Sequence, residues 1–203
     1  MGEINEVVAA LEAGGVVVLP TDTVYGLAAR AADPAATARL FALKGRTADV
    51  PIAVLCADVA QALTLAEEPL DPAVVAVAQR WWPGPLTLVL RRRPGLDLQL
   101  GEPAATIGVR VPDHALVRAV AAAVGPLATT SANRHGAPTE TTAAGAAEAL
   151  GPGVGLVVDG GRLAGAPSTV MDATRIPWAV LRQGALDVSD ILATADAAPG
   201  SGG

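Results

Sequence analysis

The basic side chains are the groups in this sequence whose types and positions best fit a chemical role. Thirteen of the fourteen basic residues are arginine, and Lys44 is the only lysine. It stands two positions before Arg46, at the end of a predicted helix. A compact ammonium and a planar guanidinium present different donor geometries, so the pair is suited to different oxygens of one polyphosphate. Favourable placement of positive charge at a helix C-terminus is the alternative explanation.

Two further arginines interrupt otherwise apolar strand patterns: Arg110 in TIGVRVP and Arg182 in WAVLRQG. Burying a guanidinium without a partner is strongly unfavourable, because the charge loses its hydration. We therefore expect each of these arginines to have an anionic partner or to face a cleft. A purely structural salt bridge would meet the same requirement.

Hydroxyl and amide side chains are concentrated in three segments: PTDTVYGL at 20–27, LATTSANRHG at 127–136 and APSTV at 166–170. Each alone is explained by turn formation, because Ser, Thr and Asn hydrogen-bond to their own backbone. Together with the four cations, they form a set suited to binding a carboxylate and a phosphate chain. The two histidines and one cysteine give no support for a Ser-His-Asp or Cys-His arrangement, or for a metal site.

Helix and strand patterns alternate along the chain, which predicts an α/β (α+β) fold with helices packed on a mixed sheet. Asp33-Pro34 and Asp71-Pro72 each combine an N-cap aspartate with a proline at the first helical position. Asp113 is predicted to cap another helix. The predicted helices cover 4–11, 34–45, 72–82, 114–124, 141–150 and 187–194, and the predicted strands cover 16–19, 52–55, 86–91, 105–111, 154–158 and 178–182.

Length and charge restrict the class of protein. The 203 residues suit one domain, predicted at 1–193, followed by a disordered tail at 194–203. No apolar run approaches the length of a membrane span and the first residues do not resemble a signal peptide, so we expect a cytoplasmic protein. A net charge of −6 with five aromatic residues argues against a protein that coats RNA.

Seven motifs in order resemble the YrdC/TsaC family, the threonylcarbamoyl-adenylate synthases. They extend from about residue 3 to residue 190 and read PTDTVYGL, KGR with a nearby proline, WPGPLTLVL, TIGVRVPDH, TTSAN with a following glycine, APSTV and LRQG. The resemblance implies a YrdC-like fold, in which a strongly twisted mixed sheet with flanking helices surrounds a concave cavity. This chain resembles the single-domain form of the family.

The resemblance also implies a reaction. The family condenses L-threonine, bicarbonate and ATP into threonylcarbamoyl-AMP and pyrophosphate, and the product serves tRNA threonylcarbamoyladenosine modification. The implied partners are therefore these substrates and the downstream tRNA transfer machinery, with no membrane. Magnesium is expected to accompany ATP, and no protein ligand for it is indicated.

The family's roles are carried over position by position. Lys44 and Arg46 are expected to bind phosphates and stabilise charge during the reaction. Threonine would be bound by Thr23, Arg110, Thr129 and Ser168. The remaining ATP contacts would come from Thr106, Ser131, Asn133, Thr139 and Arg182. Tyr25 and Gly26 are expected to shape the first loop.

The sequence departs from the family pattern at Val50, where asparagine is common, and at Leu55, where some members have histidine.

Two alternative functions remain at this stage. One is a non-catalytic module on the same fold that binds double-stranded RNA or tRNA. The other is a related enzyme that carbamoylates another acceptor, as part of a larger protein.

Overall fold

The computed structural model describes residues 2–163 and 165–199, and these residues form a nine-stranded mixed sheet with helices packed on it. The helices are α1 (Gly2–Glu12), α2 (Pro34–Lys44), α3 (Val59–Leu63), α4 (Pro72–Trp81), α5 (Ala115–Val124), α6 (Ala143–Leu150) and α7 (Val188–Asp196). The strands are β1 (Val17–Leu19), β2 (Gly26–Arg30), β3 (Ala53–Leu55), β4 (Leu86–Arg91), β5 (Thr106–Arg110), β6 (Leu127–Ser131), β7 (Leu156–Val157), β8 (Thr169–Asp172) and β9 (Ala179–Arg182).

The strand order is β7-β1-β2-β6-β3-β5-β4-β8-β9. Three neighbouring pairs are parallel, namely β1 with β7, β3 with β5 and β4 with β8, and the other five are antiparallel. The predicted mixed sheet is therefore confirmed. Its central strands bring together segments that are far apart in the sequence.

The predicted helix starts are confirmed at α2 and α4. Asp33 accepts hydrogen bonds from the backbone of Ala35 and Ala36, and Asp71 accepts one from Ala73. Gly45 ends α2 with a φ of 63°, a conformation that favours glycine at this position.

The predicted cap of α5 is wrong. His114, and not Asp113, is the N-cap residue, and its side chain makes no capping bond. The Asp113 carboxylate instead pairs with Arg118 at 3.1 Å. Pairing with a cation on the next helical turn satisfies this carboxylate in place of the backbone N–H groups.

Four elements differ from the sequence prediction because their patterns are short or polar. The segment 127–131, predicted as a hydroxyl-rich loop, is the interior strand β6. Strands β2 and β8 and the five-residue helix α3 were not predicted.

The tail predicted from 194 begins too early. Helix α7 runs to Asp196, and the side chains of Ala195 and Ala198 are buried against the core. Residues 200–203 lie outside the described residues.

The hydrophobic core lies on both faces of the sheet. Val16 and Val18 belong to one cluster, whereas Val17 and Leu19 belong to the other, as the alternation of side chains along a strand requires. In the second cluster, α1 packs against β1 and β2, and α5 packs against α1 and β3. In the described part of the chain, no helix is long and apolar enough to cross a membrane.

Candidate active site

A cavity of about 400 Å³ opens over the middle of the sheet. The strand register explains its floor: Ala53 pairs with both Thr129 and Gly108, and Gly108 pairs with Val89, so these residues form one row across four strands. Residues paired directly across neighbouring strands project to the same face of the sheet, so these four positions share a face. Small residues in the middle of the row leave space above the sheet.

Four arginines line this cavity, namely Arg46, Arg92, Arg110 and Arg182. Its described lining contains no aspartate, glutamate, lysine or histidine. The protein as a whole carries a net charge of −6, so the cavity wall is locally opposite in sign to the molecule. Such a site attracts anions, because positive charge in a concave, poorly solvated space is weakly screened.

Arg110 is fixed at one end of the cavity by three different acceptors. Its Nη2 donates to Oδ1 of Asp22 at 2.6 Å, its Nη1 to Oγ1 of Thr23 at 3.0 Å, and its Nε to the carbonyl oxygen of Gly84 at 3.0 Å. The residue is only 6% exposed. Burial lowers the pKa of the guanidinium, and the Asp22 carboxylate opposes this shift. The expected anionic partner and the expected cleft are both present.

Thr21 shapes the loop that carries Asp22 and Thr23. Its hydroxyl oxygen accepts from the backbone N–H groups of Thr23 at 3.1 Å and of Val24 at 3.2 Å, and the hydroxyl donates to the carbonyl of Val24 at 2.7 Å. Its Oγ1 also lies 3.0 Å from the hydroxyl of Thr23. The turn predicted for PTDTVYGL therefore positions Thr23 against Arg110.

Ser168 connects two walls of the same end. Its hydroxyl lies 3.0 Å from the hydroxyl of Thr87 and accepts a hydrogen bond from Nη2 of Arg182 at 2.9 Å. Nε of Arg182 also donates to the carbonyl of Ser168 at 3.0 Å. Burial lowers the pKa of Arg182, and the positive charge of Arg110 lowers it further, so the two arginines act on the same region.

Lys44 is buried behind the cavity wall and does not line it. Its ammonium donates to the carbonyl of Ser131 at 2.6 Å, to the hydroxyl of Ser131 at 3.0 Å and to Oδ1 of Asn133 at 2.6 Å. These three bonds use all three ammonium donors. Burial, with a smaller effect of the Arg46 charge, lowers the pKa of Lys44 to about 8.

Arg46 lines the cavity beside this group. Its Nη2 donates to the carbonyl of Pro51 at 2.9 Å and its Nη1 to the hydroxyl of Thr130 at 3.4 Å. Its Nε is buried and has no hydrogen-bond partner. Burial lowers the pKa of the guanidinium, and Asp49 opposes that shift. Arg46 therefore retains capacity to bind an anion in the cavity.

The other predicted residues are distributed around the cavity. Thr106, Thr129, Ser131 and Thr139 line it, whereas Asn133 is buried behind it with Lys44. Leu55, where some family members have histidine, also lines the cavity. Of the eleven predicted site residues, the nine that line it are Thr23, Arg46, Thr106, Arg110, Thr129, Ser131, Thr139, Ser168 and Arg182.

Tyr25 supports the site from outside the cavity. It is fully buried, its hydroxyl donates to the carbonyl of Gly161 at 2.6 Å, and it accepts from the N–H of Gly160 at 3.0 Å. Burial raises its pKa. The tyrosine thus joins the first loop to the segment that leads to Ser168, in agreement with the supporting role expected for it.

Sequence reasoning missed three functional candidates: Asp22, Thr87 and Arg92. Asp22 had a usable signal, because the buried Arg110 required an acidic partner and this aspartate lies between two predicted site threonines. Thr87 is a polar residue at a cavity-facing position in the apolar strand LTLVL. Arg92 belongs to a run of three arginines and had no signal that separated it from its neighbours.

The described residues contain no group of three His, Cys, Asp or Glu side chains that could hold a metal ion. The cavity lining contributes hydroxyls and guanidinium groups, which are not the carboxylate ligands that magnesium prefers. The described lining of this cavity therefore offers no carboxylate ligand to magnesium.

Comparison with known proteins gives consistent matches. The family model Sua5_yciO_yrdC, described as telomere recombination, matches residues 9–184. A Mycobacterium leprae protein is 38% identical over 199 residues, which make up 98% of this chain and 90% of that protein. The threonylcarbamoyl-AMP synthase of Pyrococcus abyssi is 38% identical over 180 residues, covering 88% of this chain and 53% of that protein.

A solved structure agrees with these sequence matches. The crystal structure of P. abyssi Sua5 complexed with L-threonine superposes with a TM-score of 0.89 at 34% identity. The match covers 95% of this chain and 57% of that chain, so this chain spans little more than half the length of the P. abyssi protein.

Proposed function

The chain belongs to the Sua5, YciO and YrdC family, and from this premise we propose that it is a threonylcarbamoyl-AMP synthase. It would condense L-threonine, bicarbonate and ATP, a nucleotidyl transfer with pyrophosphate as the leaving group. One observation carries the proposal: the described lining of one cavity contains four arginines and no carboxylate, with Arg110 and Arg182 acting on one region and Arg46 on another part of the wall.

At the first end, we propose that the threonine carboxylate binds between Arg110 and Arg182. This changes the assignment of Arg182, which the family resemblance placed among the ATP contacts, because its guanidinium is bonded to Ser168 and acts on the same region as Arg110. Ser168 contacts Arg182 directly and Thr23 contacts Arg110, so both hydroxyls lie where a zwitterionic amino acid would need further partners. Thr129 lines the cavity floor, where it pairs with Ala53. The similarity to a Sua5 protein solved with L-threonine supports the choice of amino acid.

At the second end, we propose that Arg46 binds the phosphates. Its free Nε and its position on the cavity wall support this role. Lys44 holds Ser131 and Asn133 in place and adds positive charge behind the wall. Ser131, Thr106 and Thr139 line the remaining wall and supply hydroxyl groups to the nucleotide.

The chemistry needs alignment more than a protein nucleophile. The amine of threonine and bicarbonate give a carbamate and water, and a carbamate oxygen then attacks the α-phosphorus of ATP. The bond from this phosphorus to the bridging oxygen breaks, and pyrophosphate leaves with the electron pair. The arginines hold the two anions close and stabilise the charge that develops on the leaving group. Magnesium would enter as a complex with ATP, held by the triphosphate.

Binding of double-stranded RNA without catalysis is not favoured. Such binding needs a basic outer surface, because affinity comes from neutralising phosphates of the backbone. Here the four lining arginines converge inside a cavity of about 400 Å³, which suits a small molecule.

We propose that the product passes to a cytoplasmic machinery that modifies tRNA.

The test follows pyrophosphate release from purified protein with ATP, L-threonine and bicarbonate, each omitted in turn. We expect release only when all three are present, with threonylcarbamoyl-AMP detected by mass spectrometry. Arg39→Ala, at a position that does not line the cavity, is a control that should keep the wild-type rate. Release that is independent of threonine would contradict the proposal.

A further inference from the structure

The positive side chains in and behind the first cavity are less available to a polyphosphate than their number suggests, because most of them already have partners. Lys44 uses its three donors on Ser131 and Asn133, and Arg110 is paired with the Asp22 carboxylate. Arg182 is bonded to Ser168 at the opposite end. Arg46 alone would then face the four negative charges of ATP at the phosphate end.

A second arginine meets the requirements at that end. Arg92 lines the same cavity, and its Nε is buried without a hydrogen-bond partner, as is the Nε of Arg46. Of its terminal nitrogens, Nη1 donates to the carbonyl of Leu98 at 2.9 Å, and Nη2 has no acceptor among the described residues. Burial lowers its pKa, and Glu102 and Asp97 oppose the shift.

Backbone hydrogen bonds place the two arginines on adjoining segments. Arg46 is bonded to the carbonyl of Pro51, and the next residue, Ile52, donates its N–H to the carbonyl of Leu100 at 2.9 Å. Arg92 is bonded to Leu98 in that second segment. Both guanidinium groups are therefore anchored to the same junction of two loops, on one side of the cavity.

A second cavity, of about 800 Å³, begins on the far side of this junction and shares Arg92, Leu100 and Gly101 with the first. Its lining includes Asp97 and Glu102, whereas the described lining of the first cavity has no carboxylate. The second cavity is also lined by Arg93, so its two carboxylates are balanced by two arginines, whereas arginines are the only charged residues in the described lining of the first. An oligophosphate is therefore attracted more strongly to the first-cavity face of Arg92.

We propose that Arg92 is a second arginine of the oligophosphate subsite and binds the phosphate chain together with Arg46. This inference rests on the proposed function for the identity of the nucleotide. The chemistry it requires is an oligophosphate anion, whether as part of ATP or as free pyrophosphate. Arg92 contacts the substrate in this arrangement and does not act through another residue.

The experiment measures binding by calorimetry with pyrophosphate, ATP and adenosine as separate probes. Arg92→Gln removes the charge but keeps an amide donor for the carbonyl of Leu98. We expect it to weaken pyrophosphate and ATP binding by about tenfold or more, as for loss of a charge-assisted hydrogen bond, with adenosine binding unchanged. Arg91→Gln is the matched control: Arg91 is exposed, lines neither cavity and should change affinity less than about twofold.

Several outcomes would overturn the proposal. They are wild-type affinity for pyrophosphate in Arg92→Gln, an equal loss for adenosine, or an equal loss in Arg91→Gln. Loss in Arg92→Ala with full affinity in Arg92→Gln would also overturn it, since that would indicate a structural role for the bond to Leu98. Binding needs no turnover, so a selective loss of pyrophosphate affinity supports Arg92 even if threonine-dependent pyrophosphate release is absent and the proposed function fails.

Discussion

The Nη2 atom of Arg110 lies 2.6 Å from Oδ1 of Asp22, and their side chains are 7% and 13% exposed. This ion pair joins the PTDT loop to the end of β5. Because Asp22 does not line the cavity, it balances the charge of Arg110 from behind and leaves the cavity side open to another anion. The pair thus fixes the position of the guanidinium, but the Asp22 charge also weakens the attraction of Arg110 for an anionic substrate.

Replacing Asp22 by Asn should destabilise the protein. The amide oxygen can still accept from Arg110, but the buried guanidinium loses its counter-charge, so we expect the free energy of unfolding to fall by about 1–3 kcal/mol. Urea unfolding at neutral pH measures the change. Asp113→Asn is the matched control, since its pair with Arg118 is exposed and should contribute less than about 1 kcal/mol. Equal effects of the two changes would contradict the importance of burial.

Arg110→Lys should separate the two ends of the cavity. Lysine keeps the positive charge beside Asp22 but cannot reproduce the planar fork, so we expect the apparent affinity for threonine to fall about tenfold or more. Affinity for ATP should remain within about twofold, because Arg46 and Ser131 are unchanged. Calorimetric titration with each substrate provides the measurement. Unchanged threonine affinity in a folded variant would refute the carboxylate role.

The sequence predicted those parts of the fold that depend on local signals. Asp33-Pro34 and Gly45 define α2 through capping geometry, which involves neighbouring residues only. β6 was missed because its Thr129, Thr130 and Ser131 read as turn residues. Their strand conformation depends on pairing with β2 and β3, which lie far away in the sequence.

The candidate site shows the same difference between features that depend on local sequence and features that depend on long-range packing. The family resemblance carried by the motifs predicted nine of the residues that line the cavity. The sequence could not show that Lys44 points behind the wall towards Ser131 and Asn133, since this depends on where the fold places the end of α2 relative to β6. Nor could it distinguish Arg92 from Arg91 and Arg93, because only the three-dimensional fold decides which one lines a cavity.

Tyr25→Phe should loosen the connection between the first loop and the segment before Ser168. The change removes the acceptor of the Gly160 N–H, and because Gly160 is exposed to water we expect a loss of only about 0.5–1.5 kcal/mol in the free energy of unfolding. Amide hydrogen exchange of Gly160 should accelerate. The amide of Val158, which donates to the carbonyl of Val18 at 2.9 Å, serves as the internal control and should remain protected. Unchanged exchange at Gly160 would show that the hydroxyl does not hold this segment.

Lys44 offers a direct test of the electrostatics behind the cavity wall, because it is the only lysine in the chain. Protein labelled with ¹³C-lysine should give one Cε signal, and its titration should have a midpoint near the pKa of about 8 instead of the ordinary 10.5. Arg46→Gln should raise this pKa, since the charge of Arg46 contributes to lowering it. Added pyrophosphate should raise it as well if the anion binds beside the ammonium.

The same pKa fixes the sign of a stability effect. Between the folded pKa of about 8 and the ordinary value of 10.5, the unfolded chain binds more protons at this lysine than the folded chain does. The Lys44 contribution to the free energy of unfolding should therefore increase as the pH rises from about 8 towards 10.5, and it should be constant below that range. Urea unfolding of the wild type and Lys44→Met, compared at several pH values, measures this difference. A Cε midpoint near 10.5, together with a difference that does not vary over this range, would mean that the ammonium is solvated in the folded protein and not enclosed by Ser131 and Asn133.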